Sequence, residues 1–154
     1  MISSEFGGIP LSIFHQRDHF EIGEEASCSK TISDADIRAF ATISGDENPI
    51  HLDEAYAQGT PFGGRIAHGM LVASLISAVL GNQLPGPGAI YLSQTLRFLM
   101  PVRPGDTVTA KVRVTEWDNL KGRVTLLTEV LDSQANVIIT GEAKLVMSAF
   151  LGAK

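Results

Sequence analysis

Cysteine is nearly missing from this chain of 154 residues: Cys28 stands alone. One thiol cannot close an intramolecular disulfide, which predicts a reducing, cytoplasmic setting. Cys28 itself reads as a small residue packed on a strand rather than a nucleophile. Runs of positive charge are also lacking. Lysine and arginine total 12 against 17 acidic residues, for a formal net charge of −5. That balance argues against a nucleic-acid partner, which requires a basic patch. Long apolar runs are absent as well. The richest stretch, Ile66 to Leu80, is interrupted by His68, Gly69, Ser74 and Ser77. It falls short of the roughly 20 apolar residues of a membrane helix, so no membrane association is expected. Glu5 stands early and no basic segment precedes an apolar one, so no secretory signal is expected. Neither a Gly-x-x-x-x-Gly-Lys loop nor a Gly-x-Ser-x-Gly elbow occurs, which removes P-loop and serine-hydrolase chemistry. His15 and His19 are four apart but lie in an aperiodic stretch without a third ligand, so no metal site is expected there.

What is present is the make-up of one globular domain: 44% hydrophobic and 19% charged residues, with no internal repeat. Residues 1–19 have no clear period and read as an arm, leaving 20–154 as a single domain. Phe20 to Thr31 suits a strand. Ser33 followed by Asp36 resembles a capping box. The helix it opens carries Ile37, Phe40, Ala41 and Ser44 at helical spacing and ends at Gly45. Asp53 to Gln58 suits a further helical turn. His68 to Leu80 is apolar nearly all round, which predicts a helix buried on most sides, stopped by Gly81 and Asn82. The period then changes to two. Ile90–Leu99, Thr107–Trp117, Arg123–Leu131 and Val137–Met147 read as strands joined by short turns, hence an antiparallel sheet. A buried helix wrapped by one curved sheet is an α+β architecture of the hot-dog kind.

Between the first two helices lies Ser44-Gly45-Asp46-Glu47-Asn48-Pro49-Ile50-His51. A carboxylate, an amide and an imidazole fall within six residues. Asp46 and His51 are five apart, a spacing that does not stack side chains on one helical face. Pro49 biases Asn48 away from helical geometry. The stretch therefore reads as a shaped loop in which two proton-transfer groups converge. Histidine, with an ordinary pKa near 6.5, is suited to such work near neutrality. Asn48 is expected to tie the loop backbone through its side chain.

This segment, with Ala67-His68-Gly69-Met70 and its apolar helix, and with Leu96-Arg97-Phe98-Leu99-Met100-Pro101-Val102 and Pro104-Gly105-Asp106-Thr107-Val108, resembles the (R)-specific enoyl-CoA hydratases, the MaoC-like or type-2 hydratases. The resemblance covers about residues 20–148. It implies a hot-dog fold, a homodimer, and reversible hydration of trans-2-enoyl-CoA to (R)-3-hydroxyacyl-CoA without cofactor or metal. It implies that Asp46 and His51 hold one water, and that the Gly69 N–H is the donor to the thioester oxygen. A purely structural reason for Gly69 is close helix–sheet packing. Ser77 has two readings: a hydroxyl bonded back to the i−4 carbonyl, or, by family position, a contact that fixes Asp46. His68 is expected to position neighbours through ring hydrogen bonds. Leu80 reads as a core leucine. Arg65, Arg97 and Arg103 read as solvated surface residues rather than phosphate contacts. Rival functions are a 3-hydroxyacyl-carrier-protein dehydratase, a hot-dog thioesterase and a non-catalytic dehydratase subunit. The intact Asp46–Asn48–His51 set disfavours the last two.

Overall fold

The computed structural model describes residues 5–6, 9–10 and 16–151. His15, and with it the expectation about a His15–His19 metal site, lies outside the described residues. Most of the expected arm does too. Within it, β1 (Glu5–Phe6) and β2 (Ile9–Pro10) pair antiparallel. The remaining elements are β3 (Glu25–Thr31), α1 (Asp34–Ser44), α2 (Pro49–Leu52), α3 (Glu54–Gln58), α4 (Gly69–Asn82), β4 (Ala89–Gln94), β5 (Arg97–Phe98), β6 (Thr107–Asp118), β7 (Arg123–Leu131), β8 (Val137–Met147) and a 3-10 turn at Ser148–Phe150.

The long strands form one antiparallel sheet in the order β3-β6-β7-β8-β4, with β5 also paired to β8. Helix α4 lies across it, against β3, β6 and β7. Val72, Ile76, Val79 and Leu80 of α4 are buried against every second residue of two strands: Val108, Ala110, Val112 and Val114 of β6, and Val124, Leu126 and Val130 of β7. Period 3.6 on the helix meets period 2 on the sheet. Each fully buried aliphatic side chain of this kind contributes about 1.5–3 kcal/mol. The result is the expected hot-dog arrangement. No helix among the described residues is long and apolar enough to cross a membrane.

Local signals placed α1 as expected. The Ser33 Oγ accepts from the Asp36 N–H at 3.1 Å, and the Ser33 N–H donates to the Asp36 carboxylate at 2.9 Å. Gly45 closes the helix in the left-handed region, φ 77°, its N–H on the Ala41 carbonyl. Three boundaries differ from expectation. The first long strand begins at Glu25, because Glu21–Glu24 turns through Gly23 at φ 91°. Helix α4 runs through Gly81 and Asn82, since neither is forced out of helical geometry, and Pro85 bars its extension. The predicted strand Ile90–Leu99 is two pieces, β4 and β5. A bulge lies between Tyr91 and Ser93, and the chain at Thr95 crosses β8 so closely that a Cβ on Gly141 would sit 1.8 Å from the Thr95 carbonyl oxygen.

The stretch leading into β3 is tied to the stretch following β8. The Gln16 amide donates to Ser148 Oγ at 2.7 Å, and its carbonyl accepts from the Ala149 N–H at 2.9 Å. Trp117, near the end of β6, packs edge-on against Phe20 on one side and Phe150 on the other, at 5.0 and 6.0 Å between ring centroids.

Candidate active site

The segment after α1 is not an open loop. Asn48 takes φ −53° and ψ 124°, the extended ψ that a following proline favours, and Pro49 opens α2. Proline suits that first helical position because its missing N–H would have no partner there. The Asn48 side-chain oxygen accepts from the Ile50 N–H at 3.2 Å, so it ties the backbone as expected. Its own N–H donates to the Asp46 carboxylate at 3.2 Å, and the Asp46 N–H donates to Ser44 Oγ at 3.1 Å. The α2 turn lifts His51 back over Asp46, bringing together two groups that neither helix nor strand spacing would join.

His51 is buried and held on two sides. Its Nδ1 lies 2.8 Å from the Ile66 carbonyl, and its own carbonyl accepts from Arg65 Nε–H at 2.7 Å. A carbonyl only accepts, so Nδ1 carries the proton and Nε2 keeps its lone pair. Burial lowers the His51 pKa below its ordinary value, the hydrogen bond to Ile66 opposes this, the neighbouring His68 adds to the lowering, and Asp46 opposes it. The imidazole is thereby kept a base.

His68 is 2% exposed and precedes α4. Its Nε2–H donates to the Asp46 carbonyl at 2.9 Å. Its ring stacks on His51 at 3.8 Å between centroids and 28° between planes, with Phe40 at 4.9 Å. Asp46, His51 and His68 each offer one atom within 4.8 Å of the others. Two hydrogen bonds of about 2.8 Å span distances up to this limit, so a single water can bridge Asp46 and His51. A cation is served less well. The two rings lie nearly face to face, so their lone pairs lie in near-parallel planes, and one nitrogen of His68 is already engaged by the Asp46 carbonyl.

Gly69 is the first residue of α4, and the first intrahelical bond there runs from the Val72 N–H to the His68 carbonyl. The N–H groups of Gly69, Met70 and Leu71 therefore have no acceptor within the helix and sit at its positive end. Gly69 has a packing reason as well: a Cβ would lie 2.7 Å from the Phe98 ring. A cavity of about 490 Å³ opens here, bounded by Asp46, His51, Phe62, Gly69, Phe98 and Ile139. A second, of about 530 Å³, lies along the outer face of α4 between Phe40, Ser77, Tyr91, Leu92 and Leu96. Met70 borders both. Ser77 lines the second cavity and Asp46 the first. No hydrogen bond joins Ser77 to Asp46 or to the Ala73 carbonyl among the described residues. Leu80 is core, as expected.

Sequence reasoning missed Arg65. Its side chain is largely buried and ion-paired to Asp34 while it holds the His51 carbonyl, which is not the behaviour of a solvated surface residue. Asp34 lies 31 residues away, and no local signal announces the pair. Arg103 donates to the Phe62 carbonyl, at the cavity rim. Arg97 is exposed.

A central helix inside an antiparallel sheet, with a carboxylate–imidazole pair at the helix N-terminus, defines a hot-dog protein carrying an acid–base site. The chain belongs to the MaoC-like domain family, whose model matches residues 20–135. It is 52% identical over 137 residues to an (R)-specific enoyl-CoA hydratase of Rhodospirillum rubrum, spanning 89% of this chain and 94% of that protein. A 3-hydroxybutyryl-CoA dehydratase of Methylorubrum extorquens is 50% identical over 128 residues, 82% of this chain and 80% of its own. Among solved structures, the (R)-hydratase from Aeromonas caviae, described as involved in PHA biosynthesis, superposes with a TM-score of 0.81 at 47% identity, covering 83% of this chain and 97% of that one.

Proposed function

We propose that this protein is a hydro-lyase that reversibly hydrates trans-2-enoyl-CoA to (R)-3-hydroxyacyl-CoA. The observation that carries the reading is the joint presence, in one cavity, of Asp46, the unprotonated nitrogen of His51 and the free amide end of α4. Asp46 and His51 hold one water. Its oxygen bonds to C3 of the enoyl group while one of its protons passes to this pair. The π electrons move onto the thioester oxygen, which the Gly69 N–H receives. C2 then takes a proton from the same side, and the carbonyl re-forms. A positioned donor of this kind lowers the barrier by about 3 kcal/mol in comparable sites. Asn48 supports the pair by fixing the turn. Ser77, on the second cavity, supports the wall along which an acyl chain would run.

The test follows crotonyl-CoA by enoyl absorbance and by free thiol in parallel, with product configuration read by an (R)-specific dehydrogenase. Loss of the enoyl signal without thiol release, giving the (R) alcohol, is expected. Thiol release, which also removes the enoyl-thioester absorbance, without formation of the (R) alcohol would mean a thioesterase. A second reading, dehydration of 3-hydroxyacyl chains on an acyl-carrier protein, is favoured by similarity to a tomato mitochondrial enzyme of that description, 34% identical over 125 residues. Relative rates on CoA and carrier-protein thioesters separate the two.

We also propose that two copies associate through the β4 edge. Ile90, Tyr91 and Leu92 of that strand are exposed, as are Phe98, Leu99 and Met100 nearby. Such a patch is large for a solvated surface. The compartment proposed is the cytoplasm, on the ground of the lone free thiol of Cys28.

A further inference from the structure

We propose that His68 is a positioning residue of this site, one that sets the separation of Asp46 and His51. The inference rests on the hydration reading above. At 2% exposure, His68 has almost no surface left for a substrate. It touches both proposed catalytic groups instead. Its Nε2–H fixes the Asp46 carbonyl, and its ring fixes the plane of His51 by stacking. It also stands directly before Gly69, so the same residue anchors the start of the amide donor.

A core-filling role does not account for the choice of histidine. Phenylalanine or leucine would fill this space beside Phe40 without a polar cost. His68 Nδ1 is buried with no hydrogen-bond partner. Burying a polar atom unpaired is unfavourable, so the other nitrogen must do something a hydrocarbon cannot. Nor does the ring cap its own helix, the usual task of a polar side chain at that position. It reaches across 22 residues to the Asp46 carbonyl. Misplacing reacting groups by about 1 Å can lower a rate 100-fold, so a clamp of this kind acts on turnover more than on binding.

Two variants separate its two contacts. His68→Gln keeps a donor amide but loses the ring, and His68→Phe keeps the ring but loses the donor. Each is expected to fold and to lower kcat for crotonyl-CoA by about 10-fold or more with KM changed by less than about 3-fold. Retention of kcat within about 2-fold in either folded variant overturns the proposal. Nitrogen-15 NMR of histidine-labelled wild-type protein gives an arm that needs neither activity nor a stable variant. It should show His68 protonated on Nε2 and His51 on Nδ1. Protonation of His68 on Nδ1 alone would remove the clamp. In the variants the His51 ring resonances should move, and unmoved resonances with lowered kcat also count against it. A wild-type protein that does not hydrate crotonyl-CoA, yet shows these tautomers, would instead fault the functional reading.

Discussion

Burial and the Ile66 carbonyl act on His51 in opposite directions, and burial prevails. The ring therefore stays unprotonated to a pH below the ordinary histidine value of about 6.5. For hydration this predicts a kcat/KM that is level above about pH 6.5 and falls only on its acid side. For stability the sign follows from linkage. As pH falls through about 6.5 the unfolded chain takes up the His51 proton before the folded one does, so stability is lost from there down to the lower folded value. His51→Gln should flatten that part of the profile, read by denaturant midpoints at pH 7.5 and 5.5. The same variant, and Asp46→Asn, should each lower hydration at least about 100-fold, measured on crotonyl-CoA with folding verified by circular dichroism. Near-normal turnover in a folded variant would remove that residue from the mechanism. These two residues were readable because their whole signature is contiguous. Arg65 was not, since its meaning depends on Asp34 and on a carbonyl that only the folded turn presents.

Glycine means different things in the two elements that frame the cavity. On α4, a methyl at position 69 meets an aromatic side chain that is about half exposed and free to swing aside. Gly69→Ala should therefore change the melting temperature little while lowering kcat, because the displaced Phe98 ring bounds the cavity. On β8, a methyl at position 141 meets backbone, the Thr95 carbonyl, which cannot step away. Gly141→Ala should cost about 3 kcal/mol or more, read from urea midpoints. An unchanged midpoint would contradict the close crossing. Helix α1 was legible to the residue because Ser33, Asp36 and Gly45 act within one or two turns. The break between β4 and β5 was not. The alternation of Ile90 to Leu99 continues through it, and its cause lies in Gly141, far along the chain.

For the molecule as a whole, the edge formed by Tyr91 and Leu92 makes association measurable. Leu92→Lys places a charge in the exposed apolar strip and should shift sedimentation from twice the 16.5 kDa chain mass towards the single mass. A wild-type protein that sediments at the single mass would exclude the dimer. The hot-dog layout was readable from period alone: one helix apolar all round requires a sheet about it. The pairing of the stretch before β3 with the stretch after β8 was not, because it rests on Gln16, Phe20 and Phe150 meeting from opposite parts of the sequence. Trp117, wedged between Phe20 and Phe150, is the single tryptophan of the chain. Thr107, at the other end of its strand, pairs with Thr31 just before α1, whose Asp34 binds the Arg65 that holds His51, and ten residue steps along the strand separate Thr107 from Trp117 by about 30 Å. Intrinsic fluorescence is thus an emission signal from the region remote from the acid–base pair. Inactivation by mild denaturant, if the α2 turn opens first, will proceed in optical silence, and a spectroscopic melt alone will overstate how long the enzyme remains competent.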